Sequence, residues 1–92
     1  MALRKISEPV KRLWGSEHLD EIVTTGVWHQ SLSRNADTSM GYPTGMAGLL
    51  EVHTPTGTGM VYQRYTVYNS GDIYHRGMYN GRWAAWRRVQ LN

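Results

Sequence analysis

The sequence predicts a mainly β fold, a small antiparallel β meander or sandwich with one short N-terminal helix. Three observations predict it. Short runs enriched in Val, Leu, Ile, Tyr and Trp recur through residues 27–91, separated by breaks rich in Gly, Pro, Asn and Thr, which is the rhythm of strands and turns. The dipeptide Asn80-Gly81 lies between two such runs, and both residue types tolerate the positive φ of a type I′ hairpin turn. Residues 60–68 and 82–91 place apolar side chains on both sides of an extended chain, as a sheet covered on two faces requires.

Taken in order, residues 1–15 are a distinct segment in which Pro9 interrupts any long helix and Leu3, Ile6, Val10, Leu13 and Trp14 are scattered among charges. We expect a docking arm whose five apolar residues contact something outside the domain, with residues 16–92 forming the β-rich domain itself. Ser16 is placed to cap a short helix over residues 17–22, and Glu17, Asp20 and Glu21 suit its positive end. Strands are then expected over residues 27–32, 46–53, 60–68, 72–79 and 82–91. The long polar loop 33–45 contains Tyr42-Pro43, and residues 54–59 make a turn-rich link. In 60–68, Met60, Tyr62, Thr66 and Tyr68 share one side while Val61, Tyr65 and Val67 share the other. In the last run Trp83, Ala85, Val89 and Leu91 share a side, and Trp86 falls opposite them unless a bulge intervenes.

A chain of 92 residues has room for one domain with a thin stability margin, and with no cysteine it has no disulfide to reinforce it. Its apolar fraction of 40% is ordinary, but it is built from 4 Trp, 6 Tyr and 5 Met with no Phe. Such side chains join a large apolar body to a polar tip and suit half-buried contact surfaces. The economical arrangement packs one face of the sheet within the subunit and the other against neighbouring copies. Tyr62, Tyr68 and Trp86 are the expected subunit-interface residues.

The function classes narrow by elimination. No stretch approaches the roughly 18 apolar residues of a membrane span, and Met1 to Lys5 is followed by Ser7-Glu8-Pro9 instead of the apolar core of a secretory signal. The seven acids, Glu8, Glu17, Asp20, Glu21, Asp37, Glu51 and Asp72, form no paired motif, and neither a nucleophile elbow nor a phosphate loop is present. No catalytic residue is assigned and no enzyme is expected. His18, His29, His53 and His75 lack metal-ligand spacing, so neither a metal nor another cofactor is expected. Arg82-Trp83-Ala84-Ala85-Trp86-Arg87-Arg88 mixes cations and aromatics as nucleic-acid and sugar binders do. In a hairpin strand, though, Trp83 belongs to the core and Trp86 to an interface, so nucleic acid is the lesser reading; the net charge of +3 tolerates an anionic partner without demanding one.

An ordered set of pieces carries a resemblance: Leu19-Asp20-Glu21-Ile22 with Thr25-Gly26-Val27-Trp28, then Tyr42-Pro43, then Gly48-Leu49-Leu50-Glu51-Val52. Tyr62-Gln63-Arg64-Tyr65, Ile73-Tyr74-His75-Arg76 and Trp83-Ala84-Ala85-Trp86-Arg87-Arg88-Val89 complete it. In order and spacing, from about Leu19 to Val89, the chain resembles the knob domains of R-type pyocin and phage tail fibres. The resemblance implies a β-rich, trimeric, non-enzymatic knob on a virion surface, beside other virion proteins and used for attachment to a cell surface; we expect a host-surface glycan as its ligand and, from the lack of a secretory signal, assembly in the host cytoplasm. The short basic arm also suits a capsid decoration or head-fibre protein that docks on the major capsid protein. Under either use Leu3, Ile6, Val10, Leu13 and Trp14 would dock on the particle. Tyr42, His53 and Arg76 are the candidate ligand-binding residues, with the loops 33–44 and 54–58 as the natural recognition surface.

Overall fold

The structure, a computed structural model, describes residues 9–90; Leu3, Ile6 and Leu91 lie outside them. Seven strands form one sheet: β1 (Lys11–Arg12), β2 (Gly26–Gln30), β3 (Gly48–His53), β4 (Met60–Val67), β5 (Ile73–Tyr79), β6 (Arg82–Trp83) and β7 (Arg87–Arg88). Strands β2 to β6 are antiparallel neighbours in chain order, β1 adds a parallel edge beside β2, and β7 returns along β5. The expected meander is present as a single sheet, and there is no second sheet among the described residues to make a sandwich.

Alternation decides which side is buried. Along β4, Val61, Gln63, Tyr65 and Val67 are buried while Met60, Tyr62 and Arg64 are exposed, the period of two that a half-covered strand shows. Register carries the same division across the sheet, for Leu50 pairs Tyr65, Val52 pairs Gln63, and Gln63 pairs Arg76. The inner face is roofed by coil instead of a sheet: Leu13, Leu19, Ala36 and Tyr42 join Leu50, Val52, Val61, Tyr65 and Val67 in one core. Gly48 makes room for this packing, since a Cβ there would stand 2.3 Å from the Thr66 carbonyl oxygen and 2.8 Å from the Tyr65 ring.

Three buried polar side chains fasten the roof. Gln30 donates through Nε2 to the Leu13 carbonyl at 3.2 Å and to the Tyr42 hydroxyl at 3.1 Å, and its Oε1 accepts from the Leu32 N–H at 3.0 Å. Gln63 donates to the carbonyls of Leu19 at 2.8 Å and Ile22 at 3.0 Å. Arg76 Nε donates to Gln63 Oε1 at 2.8 Å, so each amide is satisfied on both ends, as buried groups must be.

The N-terminal helix is corrected by the same fastening. Residues 17–22 hold only a 3₁₀ turn, Leu19–Glu21, capped by His18 Nδ1 accepting from the Asp20 N–H at 3.1 Å, and not by Ser16. Glu17 turns back to accept from the N–H groups of Trp14 at 2.9 Å and Gly15 at 3.1 Å. Ile22 is extended, and Gln63 takes the carbonyls that a continuing helix would need. The segment 9–15 is also tied to the sheet: Lys11 pairs Trp28, Arg12 pairs His29, and the Leu13 N–H donates to the His29 carbonyl at 2.9 Å.

The C-terminal hairpin turns at Asn80 (φ 56°) and Gly81 (φ 83°), both in the left-handed region as a type I′ turn requires. Beyond it, Met78 pairs Trp83 and Tyr79 pairs Arg82, but His75 pairs Arg87 and Tyr74 pairs Arg88, a slip of one residue. That slip is the bulge on which the placement of Trp86 depended, and it brings Trp83 and Trp86 to the same side.

Candidate functional site on the open face of the sheet

The outer face of the sheet has no roof among the described residues. Register sets its side chains in rows across the strands. One row runs His53, Tyr62, Gly77, and the next runs Glu51, Arg64, His75, Arg87. A third runs Met60, Tyr79, Arg82. The Ala84 N–H donates to the Gly77 carbonyl at 2.9 Å, which extends the first row with a second small residue.

Small residues between large ones make a depression. One concavity of about 600 Å³ is lined by Glu51, His53, Tyr62, Gln63, Arg64, His75, Arg76 and Gly77. A second, of about 280 Å³, is lined by Met60, Tyr62, Gly77, Tyr79, Arg82 and Ala84 among others. They meet at Tyr62 and Gly77. Tyr62 is 50% exposed and Tyr79 62%, a large aromatic area for a monomer surface. The Arg64 to Glu51 ion pair is long, 3.9 Å, and open to solvent, so it contributes little to stability. The other end of the same face carries more apolar residues, with Val27, Leu49, Thr66 and Ile73 half-buried, beside exposed Val10, Arg12 and His29.

Several expected site residues sit elsewhere. Tyr42 is buried in the core, its hydroxyl accepting from Gln30 and its ring meeting Tyr65 edge-on at 5.7 Å. Burial pushes its phenol pKa upward, with Gln30 acting in the opposite sense. Within the subunit it is a packing residue. Arg76 is also buried, with its guanidinium 4.1 Å from the Trp83 ring centre and 4.5 Å from that of Trp86. Its Nη2 lies 2.9 Å from Asp20 Oδ1 without hydrogen-bond geometry, so the contact is charge attraction. Burial lowers the Arg76 pKa and Asp20 opposes that shift, and within the subunit this group fastens the roof.

Trp86 is half-buried within the subunit and donates to the Gly41 carbonyl at 2.8 Å, while Trp83 donates to the Asp20 carbonyl at 3.0 Å. Within the subunit Trp86, expected at an interface, clamps Arg76 together with Trp83. Leu13, at 1% exposure, packs in the core of the subunit. Val10 and Trp14 are exposed, with Arg12 stacked 4.0 Å from the Trp14 ring centre. Tyr68 is exposed at the end of β4, and His53 lies on the outer face as a loop-side neighbour of Tyr62.

Gly77 and Tyr79 carry no mark of a site in the sequence, and Arg82 and Arg87 stand out there only as part of the cation–aromatic run 82–88. A glycine inside a strand-like run was the available signal for Gly77. Arg82 and Arg87 share a face only because of the bulge, which no alternation rule reveals. Among the described residues no group of three or more His, Cys, Asp or Glu is placed to hold a metal, and no helix is long and apolar enough to cross a membrane.

Comparison with known proteins places this architecture. No protein-family model matches the chain, and no curated protein matches it. Solved structures do. An N-truncated R2-type pyocin tail fibre superposes with a TM-score of 0.81 at 33% identity, covering 94% of this chain and 34% of the fibre chain. A C-terminal fragment of the P. aeruginosa R1 pyocin fibre matches with a TM-score of 0.81 at 30% identity, covering 95% of this chain and 23% of that one. A tailspike of an Acinetobacter phage shares the fold at 20% identity and a TM-score of 0.75, with 17% of its length covered. The resemblance to R-type pyocin tail fibres read from the sequence is thus borne out in three dimensions, and the chain spans about a third or less of the fibre chains it matches.

Proposed function

We propose that this chain is a non-enzymatic knob at the surface of a phage or phage-like particle, of the tail-fibre type, which attaches the particle to a host-surface glycan. The fold shared with R-type pyocin tail fibres is the observation that carries the reading. A rigid sheet whose one face is fastened internally and whose other face is open suits presentation of a surface to a partner.

In this reading the knob is a homotrimer. Its copies meet through the more apolar end of the outer face, around Leu49, Ile73 and Tyr68, leaving the cation-rich end outward. Residues 1–15 dock on other virion proteins, with Val10 and Trp14 as the exposed contacts nearest the domain. Native mass spectrometry should give three copies, and cryo-electron microscopy of the particle should place the domain on a fibre. Density on the capsid shell, or a monomer at micromolar concentration, would overturn the reading.

A further inference from the structure

We propose that the depression between Tyr62 and the C-terminal hairpin is a binding site for an acidic saccharide, a sugar ring carrying carboxylate or phosphate. Gly77 and Ala84 form its floor, Tyr62, Tyr79, His75 and Arg82 stand around it, and Arg87 lies next to it, paired with His75.

The floor is open because Gly77 lacks a side chain, and a Cβ built there meets nothing closer than the Val61 carbonyl oxygen at 3.8 Å. Nothing in the packing demands glycine at this position, whose φ is not positive. Its effect is to leave a hollow beside an exposed tyrosine. The C–H faces of a sugar ring pack on aromatic rings, and its hydroxyls exchange hydrogen bonds with polar walls such as Glu51 and His53.

The charge specifies the ligand further. Arg82 and Arg87 flank the floor on either side of the bulge, exposed and without any ion pair or hydrogen bond from their side chains among the described residues. Arg82 beside the floor, with His75 and Arg87 paired to each other on its other side, supplies donors for a carboxylate or phosphate, which Arg binds through a planar pair of donors. Inward on the same protein, Arg76 is paired, stacked and buried; outward, the arginines are left available.

A second copy is a poorer occupant. Arg64, His75 and Arg87 lie in one row, and dry interface cores are depleted in charge. A nucleic-acid strand needs a basic track with successive stacking platforms, whereas this hollow is bounded and Glu51 stands on its rim.

The proposal rests on the surface-knob reading for the source of its ligand, and the two fail separately. The test is an amide NMR titration of the full chain with trigalacturonate, neutral galactotriose and a thymidylate hexamer. Trigalacturonate should shift the amides of Tyr62, His75, Gly77 and Arg82, with galactotriose weaker by about tenfold or more. Gly77→Leu should abolish the response by filling the hollow, and Arg82→Ser should weaken it by about tenfold, both with the thermal midpoint unchanged. No response at these amides, equal response to galactotriose, tighter binding of the thymidylate strand, or burial of this face between copies would each overturn the site. A domain that binds trigalacturonate here yet sits on the capsid shell keeps the site and loses the fibre reading. A domain on a fibre that is silent at these amides loses the site alone.

Discussion

The two faces of the sheet carry the same kinds of residue and use them in opposite ways. Inward, Gln30, Gln63 and Arg76 are buried and engaged, each joining a strand to a segment of the roof or to a neighbour that does so. Outward, Arg64 and His75 on β4 and β5, with Arg82 and Arg87 on the neighbouring β6 and β7, are exposed. The difference teaches that in a domain roofed by coil, polar side chains replace the missing second sheet. Coil has carbonyls to satisfy, and a glutamine or arginine projecting from a strand can satisfy them where an aliphatic residue cannot.

If the comparison is right, inward changes should unfold the protein and outward ones should leave it folded. The largest effect is expected at Gly48, where alanine would drive a methyl group into the Thr66 carbonyl and the Tyr65 ring. Gly48→Ala should cost about 3 kcal/mol or more, read as the shift in a urea unfolding midpoint. Leu13→Ala should cost about 2 to 3 kcal/mol through the cavity it leaves, and an unchanged midpoint would return that residue to the arm. Arg76→Met should cost about 2 kcal/mol, because Gln63 Oε1 loses its donor and Trp83 and Trp86 lose the cation they enclose, so intrinsic tryptophan fluorescence should change as well. Arg87→Ser and Tyr79→Ser, on the outer side, should stay within about 0.5 kcal/mol of the parent.

The smallest effect is expected in the loop. Asp37 accepts from the Ser39 N–H at 2.9 Å and from its hydroxyl at 2.8 Å, and these bonds hold its carboxyl below the ordinary carboxylate range. A folded-state pKa below the unfolded one adds stability above the unfolded value, which is lost as pH falls through the folded value. Asp37→Asn should therefore differ slightly from the parent at neutral pH and converge with it under strong acid, as measured by thermal unfolding across that range.

Much of the strand layout was legible because it rests on local rules. Asn80-Gly81 dictates its turn through φ alone, and the alternation in 60–67 assigns each β4 side chain to its face. The rest depends on partners distant in sequence. Leu19–Glu21 stops at one turn because Gln63, 41 residues beyond Ile22, takes the carbonyl there. β1 is two residues long and exists only through its pairing with β2, so nothing local marks it. Tyr42 and Arg76 look like recognition residues by type, yet Gln30 holds one and two tryptophans with Asp20 hold the other. The outer depression was missed for the complementary reason, since its floor is a residue with no side chain and its two arginines are aligned by a bulge.

The central claim is that the inner polar residues hold the domain together while the outer face does its work. Adsorption of particles carrying Gly77→Leu, set against the parent at equal particle number, tests it most directly. The account predicts a loss of host-cell adsorption with the knob's unfolding midpoint and assembly state unchanged. Undiminished adsorption by correctly assembled particles would contradict it.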